Sequence, residues 1–357
     1  MISKVLKKNI NMIIFIMLSF LTIFFVYHDD FLYSKEIMKI TSIKTEKIDE
    51  SQNAFGLKEK YYYQKIKGVI TNGKNKGKTK TIEYEETYSS VVTDKYRVND
   101  KVFISDHDID GLKRDIYIVI LFIIFIALLY LIGKYKGLLS LLSVVLNFII
   151  FCIGIDLYFK GINLLLLCIV ESILFSILSL FIAGGINKKT ISAIISVMVS
   201  VITLLVLLLI VVYTTNYSGI YFNELSFLTV PPEDILIPEL FIGTIGAIMD
   251  VAITISSAIS ELIEKNKNIS TYNLNKSSKQ IGKDIMSTMS NVLFFTYLCG
   301  GLPIFVLAFR NGYSIYNYIT TNFTLELTRF LVGSIGIVMT IPISSFISIK
   351  IFKRGAK

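Results

Sequence analysis

Two histidines and three cysteines are all that the 357-residue sequence holds of the commonest metal and redox ligands. His28 and His107 are too few to build a histidine-based metal site by themselves. Cys152, Cys168 and Cys299 all fall in apolar segments and none in the large polar stretch, so no disulfide framework is implied and they read as core thiols. No phosphate-binding P-loop is present, which argues against an ATP-driven pump in this chain. Basic residues are missing from two connections, Thr214 to Ile237 and Asn311 to Leu327, and that gap helps to orient the whole chain.

What is abundant is apolar sequence, with 53% hydrophobic residues and a mean hydropathy of +0.64. Several runs are long enough to cross a hydrocarbon core of about 30 Å, so the fold class is an α-helical polytopic membrane protein whose first partner is the lipid bilayer. Spans are expected at 10–27, 116–133, 138–157, 162–183, 190–213, 239–262, 285–309 and 327–350, eight in all. The net charge of +9 does not point to nucleic acid, because Lys and Arg are spread over loops and ends where they set orientation. Lys134 and Lys136, Lys188 and Lys189, Lys265 through Lys283, and Lys350 through Lys357 fall on the side of the N-terminus, and the lysine-free connections on the other. Both termini are therefore expected in the cytoplasm and the location is the cell membrane. The first run ends without a small-x-small cleavage pattern and reads as an uncleaved anchor, residues 1–27.

Residues 28–115 change character, with dense charge, strand-like alternation and turn signals at Asn72-Gly73 and Lys76-Gly77. They are expected to form a small extracytoplasmic β-rich domain, barrel-like or a small antiparallel sheet, followed by a seven-helix domain over 116–357. Its lysine-rich hairpin tip reads as a solvated face, or as a contact for anionic polymer or headgroups. Asp106, Asp108 and Asp110, ending in Gly111, match the first half of a calcium loop. The second half is missing: Tyr117 stands where a bidentate Glu belongs, and Lys113 and Arg114 bring positive charge. A polar connector is the competing reading, and no metal or cofactor is otherwise implied.

The residue most in need of explanation is Asp250, inside an apolar helix from Leu240 to Leu262. At 100° per residue, Glu239, Gly243, Gly246, Asp250, Thr254, Ser257 and Glu261 share one narrow stripe. An ionised Asp near a bilayer centre costs about 2.5–3.5 kcal/mol on insertion scales. The stripe is therefore expected to face protein or water, with lipid on the other side. Asp284, Thr288 and Asn291 repeat the spacing of Asp250, Thr254 and Ser257, and Gly300, Gly301 and Pro303 are expected to break that helix. Broken helices beside buried carboxylates recur at transporter sites, whereas small residues and hydroxyls also serve plain helix packing. Glu171 is a second carboxylate near mid-membrane, part of a proton or cation path or a group kept neutral by burial. Further polar stripes run through Ser140, Ser143, Asn147 and Gly154, and through Ser192, Ser196 and Thr203. An internal echo pairs Gly243–Ile253 with Gly333–Ile343, with Thr340 standing where Asp250 stands.

These residues resemble the YibE/F-like membrane proteins of bacteria. The resemblance lies in Gly243-x-x-Gly246-x-x-Met249-Asp250-Val251-Ala252-Ile253-x-Ile255-Ser256-Ser257-Ala258-x-x-Glu261-Leu262. It continues in Ile281-Gly282-x-Asp284-Ile285-Met286-x-Thr288-Met289-x-Asn291 and in Gly300-Gly301-Leu302-Pro303. It extends over the anchor, the outer domain and the helices that follow, with the loosest match in the outer domain. It implies a multi-pass bacterial membrane protein and brings no catalytic residues with it.

The function expected from the sequence is a transporter or permease for a small solute or ion, cation- or proton-coupled through Asp250. The alternative is a non-transporting envelope sensor or an assembly protein that binds partners. An intramembrane aspartyl protease is the third reading and fits least, since Asp250 follows Ala-Ile-Met where Gly-x-Gly is needed.

Overall fold

The computed structural model describes residues 2–52, 58–90, 93–220, 222, 231–321 and 323–354. Much of the lysine-free connection Thr214 to Ile237, and the last three residues of the basic C-terminus, lie outside the described residues. The chain divides into two compact units, Met1–Gly133 and Lys134–Lys357. Seven helices among the described residues are long and apolar enough to cross a membrane.

The first unit begins with α1 (Ile2–His28) and a short 3-10 turn, Asp29–Leu32. Five strands follow, β1 (Glu36–Gln52), β2 (Lys58–Ile70), β3 (Thr79–Thr87), β4 (Lys101–Ile104) and β5 (Ile109–Leu112). They form one antiparallel sheet in the order β3-β2-β1-β4-β5. Alternation puts Met38, Ile40, Ile66, Ile70, Ile82, Val102 and Ile104 into one apolar core, closed by Tyr96 and Ile109. The barrel-like expectation is corrected here: β3 and β5 are edges and no ladder joins them, so the sheet is open. The strands are too unequal to close, 17 and 13 residues in β1 and β2 against 4 in β4 and β5.

The stretch expected as a half calcium loop is the turn of the β4–β5 hairpin, closed by the Ser105 N–H donating to the Asp108 carbonyl at 3.0 Å. Asp110 pairs with Lys35 at 3.0 Å, and the Asp108 carboxylate accepts from the Ile109 N–H. Among the described residues no three His, Cys, Asp or Glu side chains gather as a metal set.

A buried ionic knot ties α1 to the sheet. The Lys113 ammonium, 3% exposed, donates to Asp29, to Asp30 at 2.9 Å and to the Val26 carbonyl, with Asp115 at 3.3 Å. Lys101 meets Asp30 at 2.8 Å. The Asn72 amide donates to the carbonyls of Asp30, Tyr33 and Lys35, and its oxygen accepts from the Ile37 N–H at 2.6 Å. Burial alone would lower the Lys113 pKa, but hydrogen bonds to Asp29 and Asp30 and the charge of Asp115 hold it above its ordinary value.

α2 (Asp115–Phe159) has 45 residues, about 68 Å at 1.5 Å per residue and roughly twice the bilayer core. Its backbone leaves the helical region at Lys134 (φ 49°, ψ −130°), dividing it into α2a (115–133) and α2b (135–159). The second unit continues with α3 (Leu164–Gly184), α4 (Lys188–Thr215), α5 (Pro232–Lys265), α6 (Thr271–Arg310), the short α7 (Ile315–Thr321) and α8 (Phe323–Arg354). Helix starts are capped as their sequences ask: the side chains of Asn163, Asn187 and Ser270 accept from the N–H groups of Leu166, Thr190 and Asn273. The Ser270 cap explains why most of 264–283, expected as a polar loop, is helix: α6 begins there, well before its apolar part.

α8 packs on α4, α5 and α6, and α5 also touches α3. Gly333 and Gly336 make the close approach possible. A Cβ on Gly333 would meet Leu293 at 2.8 Å, and one on Gly336 would meet Ile248 at 3.2 Å and Leu204 at 3.3 Å. Hydroxyls stitch the same interface: Ser348 bonds Ser192 at 2.8 Å and Ser256 at 2.9 Å, and Ser345 bonds Ser278 at 2.6 Å.

Candidate functional site

α5 has two faces, and the structure corrects the expected lipid contact of the apolar one. Leu240, Phe241, Ile245, Ile248, Val251, Ala252, Ile255 and Ile259 are buried against neighbouring helices of the same unit. Gly243, Gly246, Asp250, Thr254 and Glu261 are exposed, and Ser257 is half-buried. The apolar side is thus protein core, not the lipid side. The physical reason is that α3, α4 and α8 supply apolar partners for it, leaving no room there for lipid.

Within this stripe the hydroxyls turn to their own backbone. Thr254 donates to the Asp250 carbonyl at 2.6 Å, and on α6 Thr288 donates to the Asp284 carbonyl at 3.2 Å. The i, i+4 spacing seen in both helices is therefore a back-bonding pattern. Asp284, Thr288 and Asn291 are exposed on α6, as Asp250 is on α5. The Asp250 carboxylate has no ion pair or hydrogen bond among the described residues.

α6 does not break at Gly300, Gly301 and Pro303 but stays helical to Arg310. A proline removes one intrahelical N–H, a loss that neighbouring groups can offset in a membrane helix. One such neighbour is the Tyr318 hydroxyl of α7, which donates to the Gly301 carbonyl at 3.1 Å.

Glu171 sits apart from this face. On α3 it is 6% exposed and lies against Gly154 of α2b, so close that a Cβ there would overlap the Glu171 carboxyl. Glu171 has no hydrogen bond or ion pair among the described residues. Further along the same seam Asn147 donates to Ser179 at 2.7 Å and Ser143 to Ser179 at 3.0 Å, while Asn147 Oδ1 is buried without a partner among the described residues. The stripe Ser143, Asn147, Gly154 is thus the side of α2b turned to α3.

Sequence reasoning missed Arg329, which bridges α5 and α8 by pairing with Glu239 at 2.6 Å and with Glu326. It is the one basic residue in the apolar run 327–349, and that isolation was the available signal. Glu239, at the N-terminal end of the α5 stripe, is therefore structural at least in part.

Two family models decide the lineage. Residues 121–354 match the model of the YibE/F-like protein family and residues 31–118 that of the YibE/F family N-terminal domain. The chain belongs to the YibE/F-like family. No curated protein and no solved structure matches it. In this YibE/F-like chain the two family segments meet within α2a, whose apolar run begins right after the sheet. Family membership together with the long apolar helices makes it a membrane protein.

Proposed function

We propose that this YibE/F-like protein is a permease for a small solute or cation, with Asp250 and Glu171 as its proton- or cation-exchanging groups. The reading is supported by one observation above all: two carboxyl groups inside apolar helices stand without an ion-pair or hydrogen-bond partner among the described residues. Structural carboxylates at membrane depth pair with cations or backbone; unpaired ones mark ion and proton paths. The second reading, a non-transporting protein that binds envelope partners, draws on the exposure of the Asp250 stripe.

The topology that goes with the proposal has eight spans in the cell membrane, both termini in the cytoplasm and residues 28–115 outside. Single cysteines at Asn75 should then label in intact cells, and those at Asn187 and Asn275 only after permeabilisation. External labelling of Asn275 would overturn the arrangement. For transport, the measurement is solute or cation flux in proteoliposomes with and without an imposed proton gradient. Asp250→Asn keeps the side chain's shape but cannot exchange a proton, so gradient-coupled flux should fall to the level of empty liposomes while insertion and melting stay unchanged. Full coupled flux in Asp250→Asn would remove Asp250 from the mechanism.

A further inference from the structure

We propose that a second copy of this chain covers the polar face of α5 and α6, pairing Asp250 of each copy with Asn291 of the other. The inference does not depend on transport and would hold for a partner-binding protein as well.

The internal echo supplies the first argument. Gly333-Ser-Ile-Gly336 on α8 and Gly243-Thr-Ile-Gly246 on α5 are nearly the same motif. On α8 it is filled, with Leu293, Ile248 and Leu204 close against the glycines. On α5 it is open: a Cβ on Gly246 would meet nothing within 4 Å, and one on Gly243 would meet only the Tyr297 hydroxyl, at 2.9 Å. The same surface that seats a helix inside the chain is vacant on its outside.

Complementarity says which helix fits. The Gly243–Tyr297 contact fixes the register of the antiparallel pair α5 and α6, and equal rise along both helices places Asp250 level with Ser290, one residue from Asn291, and Glu261 level with Lys279. On α6 the side toward α8 carries Gly282 and the side toward α5 carries Tyr297; Ser287, Asn291 and Asp284 come next round, flanking the α5 stripe. The face thus holds a carboxylate acceptor beside an amide donor at one depth, and a Glu beside a Lys at another. None of the four side chains is bonded to another within the chain. Copies inserted in one membrane share orientation, so a two-fold axis along the membrane normal brings α5 of one copy to α6 of the other at matched depth. Each contact is then made twice.

The test uses the full chain with its native cysteines replaced by alanine. Two differently tagged forms are co-expressed, one with Thr254→Cys on α5 and one with Ser287→Cys on α6, and membranes are oxidised. A disulfide-linked species carrying both tags, at twice 40.4 kDa, is the expected product. A Val206→Cys pair on the exposed face of α4 should give none. Gly246→Leu provides the second arm: its own chain leaves room for the side chain, so melting should be unchanged, while the doubly tagged species is lost and the mass in nanodiscs falls from dimer to monomer. Wild-type monomers in nanodiscs, crosslinks only to proteins of other mass, or a crosslink indifferent to Gly246→Leu would each overturn the proposal.

Discussion

Lys113→Met is expected to cost about 3–5 kcal/mol of stability, the range found when one partner of a buried ion pair is removed and the other is left uncompensated. Three carboxylates, those of Asp29, Asp30 and Asp115, converge on this one ammonium, so methionine leaves a cluster of like charge in a site nearly closed to water. The response to pH separates this from a packing loss. The folded pKa of Lys113 is raised above its ordinary 10.5, so its stabilisation is complete below that value and is lost as pH rises through the folded value. Melting of the full chain in detergent, followed by circular dichroism at the β-sheet signal, should drop steeply only above about pH 10.5 in wild type. That alkaline limb should flatten in Lys113→Met. Equal alkaline limbs in the two proteins would mean that the knot is not what couples Lys113 to stability.

The second large effect is expected at Gly154. An alanine there places its Cβ on top of the Glu171 carboxyl, and Glu171 can only escape by leaving the site it occupies between α2b and α3. Overpacking of this kind costs about 1–3 kcal/mol. Glu171→Ala in the same chain should restore most of the melting temperature, whereas Glu171→Ala alone should change it little, since no hydrogen bond is lost among the described residues. The four proteins form a double-mutant cycle, and additive effects would show that the two residues do not meet.

Much of this architecture was readable in the sequence because it rests on period and composition. Apolar runs gave the helices, the 100° spacing gave the Asp250 stripe, and Asn72-Gly73 marked a real turn between β2 and β3. Periodicity separates two faces of a helix but does not say which face meets its neighbours. For α5 that choice depends on α3, α4 and α8, whose residues lie up to about a hundred positions away in sequence, and so the apolar face was given to lipid when it is protein core. The Lys113 knot was invisible for the same reason: Asp29 and Lys113 are 84 residues apart. Pro303 misled in another way, because a local rule about proline was outweighed by the helix on either side of it. Arg329 could have been found, since a lone guanidinium in an apolar run demands a carboxylate.

The back-bonded threonines give the Asp250 face a definite polarity of hydrogen bonding. A threonine hydroxyl has one proton, and Thr254 and Thr288 both spend theirs on a backbone carbonyl, leaving only lone pairs turned outward. Together with the carboxylates of Asp250, Glu261 and Asp284, these oxygens make a surface rich in acceptors along much of its length. A group that settles directly against these oxygens has to bring hydrogens or positive charge to them, as an amide or an ammonium does.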